Sequence, residues 1–223
     1  MLFTEIKPAK AVRTFKVALV GNPNSGKSTL FNALTGLNQK TANFPGVTVE
    51  KRSGKCTLKN ATGEPVYFDI TDLPGTYSLY PKTPDERISF EVLCDPGNDD
   101  HPDLVIVIAE GTNLKRNLFL CSQIIDLKVP VILVINMMDM VNYKGIRIDF
   151  EGLAKELGVK IIPMVARKGI GVTELKQAMT ETLPVPEREF IDVKRFAPDV
   201  VEGIMGEVNV NSRYAAYQIA SNL

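Results

Sequence analysis

The chain has 223 residues, 44% hydrophobic and 23% charged, enough for one full domain with a sizeable core and a modest appendage. Its 26 Lys and Arg balance its 26 Asp and Glu, so no global field draws it to nucleic acid and no nucleic-acid partner is expected. Three scattered cysteines (Cys56, Cys94, Cys121) and a lone histidine, His101, offer no close-spaced ligand pair for zinc or redox chemistry, leaving structural thiols in a reducing compartment.

Residues 1–13 are charged, lack the apolar stretch of a signal peptide and read as an N-terminal extension. Thr14–Val20 is a short β-rich run that stops at Gly21, and Lys27–Leu34 reads as a helix. Val49–Leu58 and Val66–Ile70 look like a strand pair joined by a turn-rich stretch from Asn60 to Pro65. Leu104–Ala109 and Val131–Ile135 are continuous apolar strands, the pattern of a parallel sheet covered on both faces. Between them Leu114–Leu127 carries apolar residues at helical spacing. Phe150–Leu157, Lys160–Met164 and Thr173–Leu183 add a helix, a strand and a helix. This alternation predicts a doubly wound α/β domain over residues 14–183, a mostly parallel sheet flanked by helices.

Pro184 and Pro186 punctuate a linker, 184–190. Residues 191–223 form a helical appendage, with helices expected at Ala197–Gly206 and Ser212–Leu223. It is too short for its own core, so it should pack on the main domain or continue past Leu223. The apolar runs Leu104–Ala109 and Val129–Met138 fall short of the about 18 residues of a membrane helix, so the chain as given reads as soluble and cytosolic.

Gly21-Asn22-Pro23-Asn24-Ser25-Gly26-Lys27-Ser28 has the spacing of a phosphate-gripping loop, and it follows a strand and opens a helix, as that motif requires. Glycines let the backbone turn tightly and aim N–H groups at phosphate oxygens, and the helix N-terminus adds partial positive charge there. Lys27 would reach the β and γ phosphates, the Ser28 hydroxyl would hold Mg²⁺, and Thr29 completes the loop's contacts. Asp72-Leu73-Pro74-Gly75 follows a strand at the carboxyl edge of the sheet, where Asp72 can hold Mg²⁺ through water and the Gly75 N–H can touch the γ-phosphate. Thr48 is the natural second hydroxyl ligand for Mg²⁺, carried on Asn43-Phe44-Pro45-Gly46-Val47-Thr48. That segment, and Thr76–Asp85, should order with the γ-phosphate and loosen after hydrolysis.

Asn136-Met137-Met138-Asp139 ends an apolar strand, and a carboxylate at Asp139 can accept both N–H groups on guanine N1 and N2, which adenine cannot offer. Asn136 should tie the base-binding loops together, and Met137 stands where the usual pattern has Lys, giving an apolar base face. In Val165-Ala166-Arg167 the Ala166 N–H is placed for guanine O6, and Val165 replaces the common Ser, a change that would shorten nucleotide residence. These elements in this order point to GTP rather than ATP. Arg87, Arg116 and Arg167 read as solvated or packing residues rather than catalytic fingers, and Met137 and Met138 as packing rather than metal ligands.

Together these motifs resemble the cytosolic GTPase domain of the FeoB family of ferrous iron transporters. The strings Asn43–Glu50, Asp72-Leu73-Pro74-Gly75-Thr76-Tyr77-Ser78-Leu79, Asn113–Leu118 and the Met-bearing Asn136–Asp139 carry the likeness over Thr14–Leu183, and more loosely over Ile191–Leu223. The resemblance implies a P-loop, small-GTPase-like fold with a helical domain linked to nucleotide release. It also implies a membrane-embedded permease elsewhere in the protein, with accessory cytosolic proteins and a homo-oligomer as further partners. Asn24 marks K⁺-activated members, which implies a K⁺ beside the phosphates completed by backbone carbonyls of Ala42 and Phe44. The catalytic set is then Lys27, Thr48, Gly75 and Asn24, with Mg²⁺ and K⁺ as cofactors; Thr76 is too short to orient water as a Gln would. The alternative reading is a soluble regulatory GTPase of ribosome assembly or RNA modification, which would more often carry a basic appendage.

Overall fold

The computed structural model describes residues 13–36, 39–195, 198–208, 210 and 212–222. The N-terminal extension therefore lies outside the described residues except for Arg13, as do Ala197 and Leu223 at the ends of the two expected tail helices.

Among the described residues seven strands form one sheet: β1 (Thr14–Gly21), β2 (Gln39–Asn43), β3 (Glu50–Lys59), β4 (Pro65–Asp72), β5 (Leu104–Glu110), β6 (Val131–Asn136) and β7 (Lys160–Pro163), in the order β2-β3-β4-β1-β5-β6-β7. β1 pairs in parallel with β4 and β5, as do β5 with β6 and β6 with β7; β3 runs antiparallel to both its neighbours. Side chains alternate faces along a strand, so each central strand feeds two cores. Val17, Leu19, Ile106, Ile108, Ile132 and Val134 pack with Leu30, Phe31 and Leu175 on one face. Ala18, Val20, Val105, Val107, Leu133 and Ile135 pack with Leu93, Leu120 and Ile124 on the other. Burial on both faces explains why these strands read as continuous apolar runs.

The helices are α1 (Lys27–Thr35), α2 (Pro84–Cys94), α3 (Leu114–Asp126), α4 (Met138–Tyr143), α5 (Phe150–Leu157), α6 (Val172–Met179), α7 (Pro198–Val208) and α8 (Arg213–Asn222). Three elements went unforeseen. β2 is exposed at every residue, so its sequence carries no period-two signal, and it forms as an edge strand by pairing with β3. α2 is signalled by Thr83, whose hydroxyl accepts the Glu86 N–H, and by Pro84 at its first position. α4 is a short helix opened by Met137 in the left-handed region, at φ +63°. The helix expected over Thr173–Leu183 stops at Met179, where Thr180, Thr182 and Pro184 disfavour continuation.

The tail is tied to the main domain through the carboxyl end of α3. The Asp126 carboxylate accepts the N–H groups of Phe190 and Ile191 at 2.8 Å each, and its carbonyl accepts the Ser212 hydroxyl that precedes α8. Lys128 donates to the carbonyls of Pro186, Glu187 and Arg188. Tyr214, Ala215 and Ala216 of α8 are buried in the same core as Leu120 and Ile124. Among the described residues no helix is long and apolar enough to cross a membrane.

Candidate functional site: a nucleotide cleft at the carboxyl edge of the sheet

Parallel pairing places the ends of five strands side by side. Leu19 pairs with Asp72 across β1 and β4, Gly21 with Ile108, Glu110 with Asn136, and Ile135 with Pro163. Loops distant in sequence therefore meet along one edge, the ligand edge of open α/β sheets.

The phosphate loop leaves β1 at Gly21, where a Cβ would stand 2.5 Å from the Ile108 carbonyl oxygen, so no other residue fits without a shift. Asn24 and Gly26 both adopt positive φ, +66° and +91°, so the loop is tightly coiled where it enters α1. A Cβ on Gly26 would lie 2.2 Å from Asn136 Nδ2. Asn22 Oδ1 and Ser25 Oγ are buried without a hydrogen-bond partner, two polar atoms held inside the turn. A cavity of about 450 Å³ is lined by Asn22, Pro23, Asn24, Gly26, Lys27, Ser28, Thr29 and Gly75.

Lys27 is ion-paired with Asp72, and both are largely buried. The Leu73 N–H donates to the Leu19 carbonyl and the Thr76 N–H to the Gly21 carbonyl, which fixes Asp72-Leu73-Pro74-Gly75 along the end of β1. Gly75 packs on Pro23, where a Cβ would approach to 3.3 Å. The Thr76 side chain is fully buried and donates to the Ser78 carbonyl at 2.7 Å, turned into the protein.

Asn136 joins the two halves of the cleft. Its Nδ2 donates to the Ser25 carbonyl at 2.9 Å, and its Oδ1 accepts the Ala166 N–H at 2.9 Å. The phosphate loop and the Val165–Arg167 turn are thus held by one buried amide. In this structure the Ala166 N–H expected to face guanine O6 is spent on Asn136. A second cavity, about 210 Å³, is lined by Gly26, Thr29, Asn136, Met137, Asp139, Met140, Val165, Ala166 and Arg167. It shares Gly26 and Thr29 with the phosphate cavity, so the two form one cleft. Asp139 lies in the first turn of α4; its Oδ1 accepts the Met140 N–H at 3.0 Å and its Oδ2 is engaged by Arg167. That guanidinium holds the Asp139 carboxyl below the usual carboxylate range, with lesser help from Met140 and Lys168. Met138 does not line this second cavity; it packs against the core on the α3 side.

The segment Asn43–Thr48 sits elsewhere in this structure. Phe44 is buried against the groove formed with Pro45, Val47, Ile88 and Val92, and its carbonyl accepts the Val47 N–H at 3.3 Å. Ala42 is held in β2 opposite Lys51. Gly46, Val47 and Thr48 are exposed, and none of these residues lines the cleft. The Ser28 hydroxyl lines the cleft and the buried Asp72 carboxylate stands behind it on Lys27; both are hard oxygens that suit Mg²⁺. Of the three residues expected at K⁺, Asn24 alone lines the cleft; the pairing of β2 and the burial of Phe44 keep Ala42 and Phe44 from it.

Two residues were missed by sequence reasoning. Gln123 accepts the Leu79 N–H at 2.9 Å and so anchors the segment after Gly75; Asp126, one turn on, anchors the tail. Both are polar side chains on the apolar face of α3, and that misplacement was the available signal. A separate cavity of about 350 Å³, lined by Phe15, Phe68, Leu104 and Met179 among others, carries none of the motif residues.

The family model for ferrous iron transport protein B matches residues 15–179, from β1 through α6. The chain belongs to the FeoB family. The Fe(2+) transporter FeoB of Leptospira biflexa is 44% identical over 165 residues, which cover 74% of this chain but 23% of that relative, so the chain spans about a quarter of its length. The cytosolic domain of T. maritima FeoB in its first GDP form superposes with a TM-score of 0.76 at 33% identity, covering 93% of this chain and 80% of that one. The same domain in its GMPPNP form gives 0.76 at 33%, covering 94% and 82%. The described fold is thus the GTPase-type α/β domain of FeoB.

Proposed function

We propose that this chain binds GTP with Mg²⁺ and hydrolyses it, as the cytosolic module that gates ferrous iron through a permease elsewhere in the same protein. The observation that carries the reading is Asn136: one buried amide locks the phosphate loop to the turn beside Asp139, giving a single cleft with a phosphate end and a base end. The T. maritima domain, similar over most of this chain, has a GDP form and a GMPPNP form, which supports a guanine nucleotide here. Membership in the FeoB family favours the transport role over ribosome assembly or RNA modification.

In this reading the coiled loop and the α1 N-terminus hold the phosphates by backbone N–H groups. Lys27 exchanges Asp72 for the β and γ phosphates, and Asp72, so released, is free to face the metal. Ser28 directly and Asp72 through water would hold Mg²⁺, which would supply positive charge against the phosphate oxygens. The Gly75 N–H marks the γ-phosphate, and because Leu79 is tied to Gln123, its position reaches α3. Thr76 faces inward, so the attacking water is oriented by backbone groups of Asn43–Thr48 once that segment crosses to the cleft. Stimulation by K⁺ at Asn24 belongs to the same movement, which brings Ala42 and Phe44 across. GTP turnover measured in KCl and in NaCl tests this, for the wild type and Asn24→Ala. Faster turnover in KCl, lost in the variant, is expected; equal rates in both salts overturn the K⁺ role, and no GTP turnover in either overturns the reading.

A further inference from the structure

Arg167 reaches the Asp139 carboxylate from a fixed turn. Ala166 is held by Asn136, the Lys168 N–H donates to the Val165 carbonyl at 2.9 Å, and Val165 bridges to Ile170. From there the guanidinium places both Nε, at 3.1 Å, and Nη2 on Asp139 Oδ2. Lys168 Nζ stands farther off, at 3.9 Å. The other oxygen, Oδ1, takes the Met140 N–H at 3.0 Å. The Arg167 side chain is 67% exposed against 19% for Asp139, so the arginine is the partner with open solvent to swing into.

Guanine presents N1–H and N2–H from a planar carbon bearing three nitrogens, and an arginine guanidinium presents the same edge. We infer that Arg167 is an internal stand-in for guanine: it occupies the base-reading carboxylate and must be displaced for the nucleotide to bind. It acts as a specificity- and residence-determining residue, since a base without two such donors recovers nothing for displacing it. This rests on the base-reading role proposed for Asp139.

Removing the competitor should tighten guanine binding. An ion pair with one partner this exposed corresponds to a change of about 1.5- to 5-fold in affinity. The test is GDP and ADP binding to the wild type, Arg167→Gln and Arg167→Lys, with release of a fluorescent GDP analogue followed in parallel. At about 50 mM salt, Arg167→Gln should bind GDP about 1.5- to 5-fold more tightly and release it correspondingly more slowly, with Arg167→Lys in between. The gap should close by about 0.5 M salt, where the pair is screened. Unchanged or weaker GDP binding by Arg167→Gln at low salt, with ADP still excluded, overturns this inference alone. ADP bound as tightly as GDP by the wild type overturns the base reading, and the inference with it.

Discussion

Asn136→Ala is the most informative single change, because one side chain carries the junction between the two ends of the cleft. The substitution deletes two buried hydrogen bonds, to the Ser25 carbonyl and from the Ala166 N–H, worth about 1 kcal/mol net each. It also leaves the Ala166 N–H buried without a partner, at a cost of about 1 kcal/mol or more. The sum is about 3 kcal/mol, which for a domain of this size is about 6–12 °C in Tm. Urea unfolding of the wild type and variant, analysed with a common slope, reads the difference directly. A loss below about 1 kcal/mol would mean that the phosphate loop and the Val165–Arg167 turn are held by other contacts, and the reasoning would fail. GDP affinity should fall in the same variant, since both loops lose their shared anchor.

Three further outcomes follow from local geometry. Gly26→Ala places a Cβ 2.2 Å from Asn136 Nδ2 at a φ of +91°, so it should abolish nucleotide binding, whereas Gly203→Ala, in α7 at an ordinary φ and meeting nothing within 4 Å, should retain it in the same titration. Asp126 lies above the ordinary carboxylate range because burial disfavours its charge, although the Phe190 and Ile191 N–H groups pull the other way. The folded chain therefore holds that proton more tightly than the unfolded one, and the stabilising contribution is complete below pH 3.8 and lost as pH rises through the raised value. The stability difference between the wild type and Asp126→Asn, measured by urea unfolding from about pH 3 to about pH 7, should move against the wild type as pH rises, and a flat difference would refute it. The Cys121 thiol is pushed up to about 12 by complete burial and Cys94 is raised likewise, so neither should react with iodoacetamide at neutral pH until urea unfolds the chain.

The sheet was legible because its central strands are buried on both faces and show as unbroken apolar runs such as Val131–Ile135. The phosphate loop, Asp72 and Asn136 were legible because each sits where a strand ends, and parallel pairing brings such ends together. What escaped depends on tertiary contacts. β2 has no apolar face to announce it and exists only through its pairing with β3. The place of Phe44 against Ile88 and Val92, and so the position of Thr48 away from the cleft, follows from the unforeseen helix α2. Arg167 read as a solvated or packing residue of the Val165–Arg167 nucleotide turn, and its pairing with Asp139 escaped because it joins that turn to the first turn of α4. Gln123 and Asp126 were hidden in a helix assigned by its apolar periodicity alone.

The most direct test of the central claim is steady-state phosphate release from GTP and from ATP by this chain with Mg²⁺, repeated with Asp139→Ala. The expected result is turnover of GTP but not ATP, with the GTP KM raised in the variant. Equal turnover of both nucleotides by the wild type, or none with GTP, would contradict it.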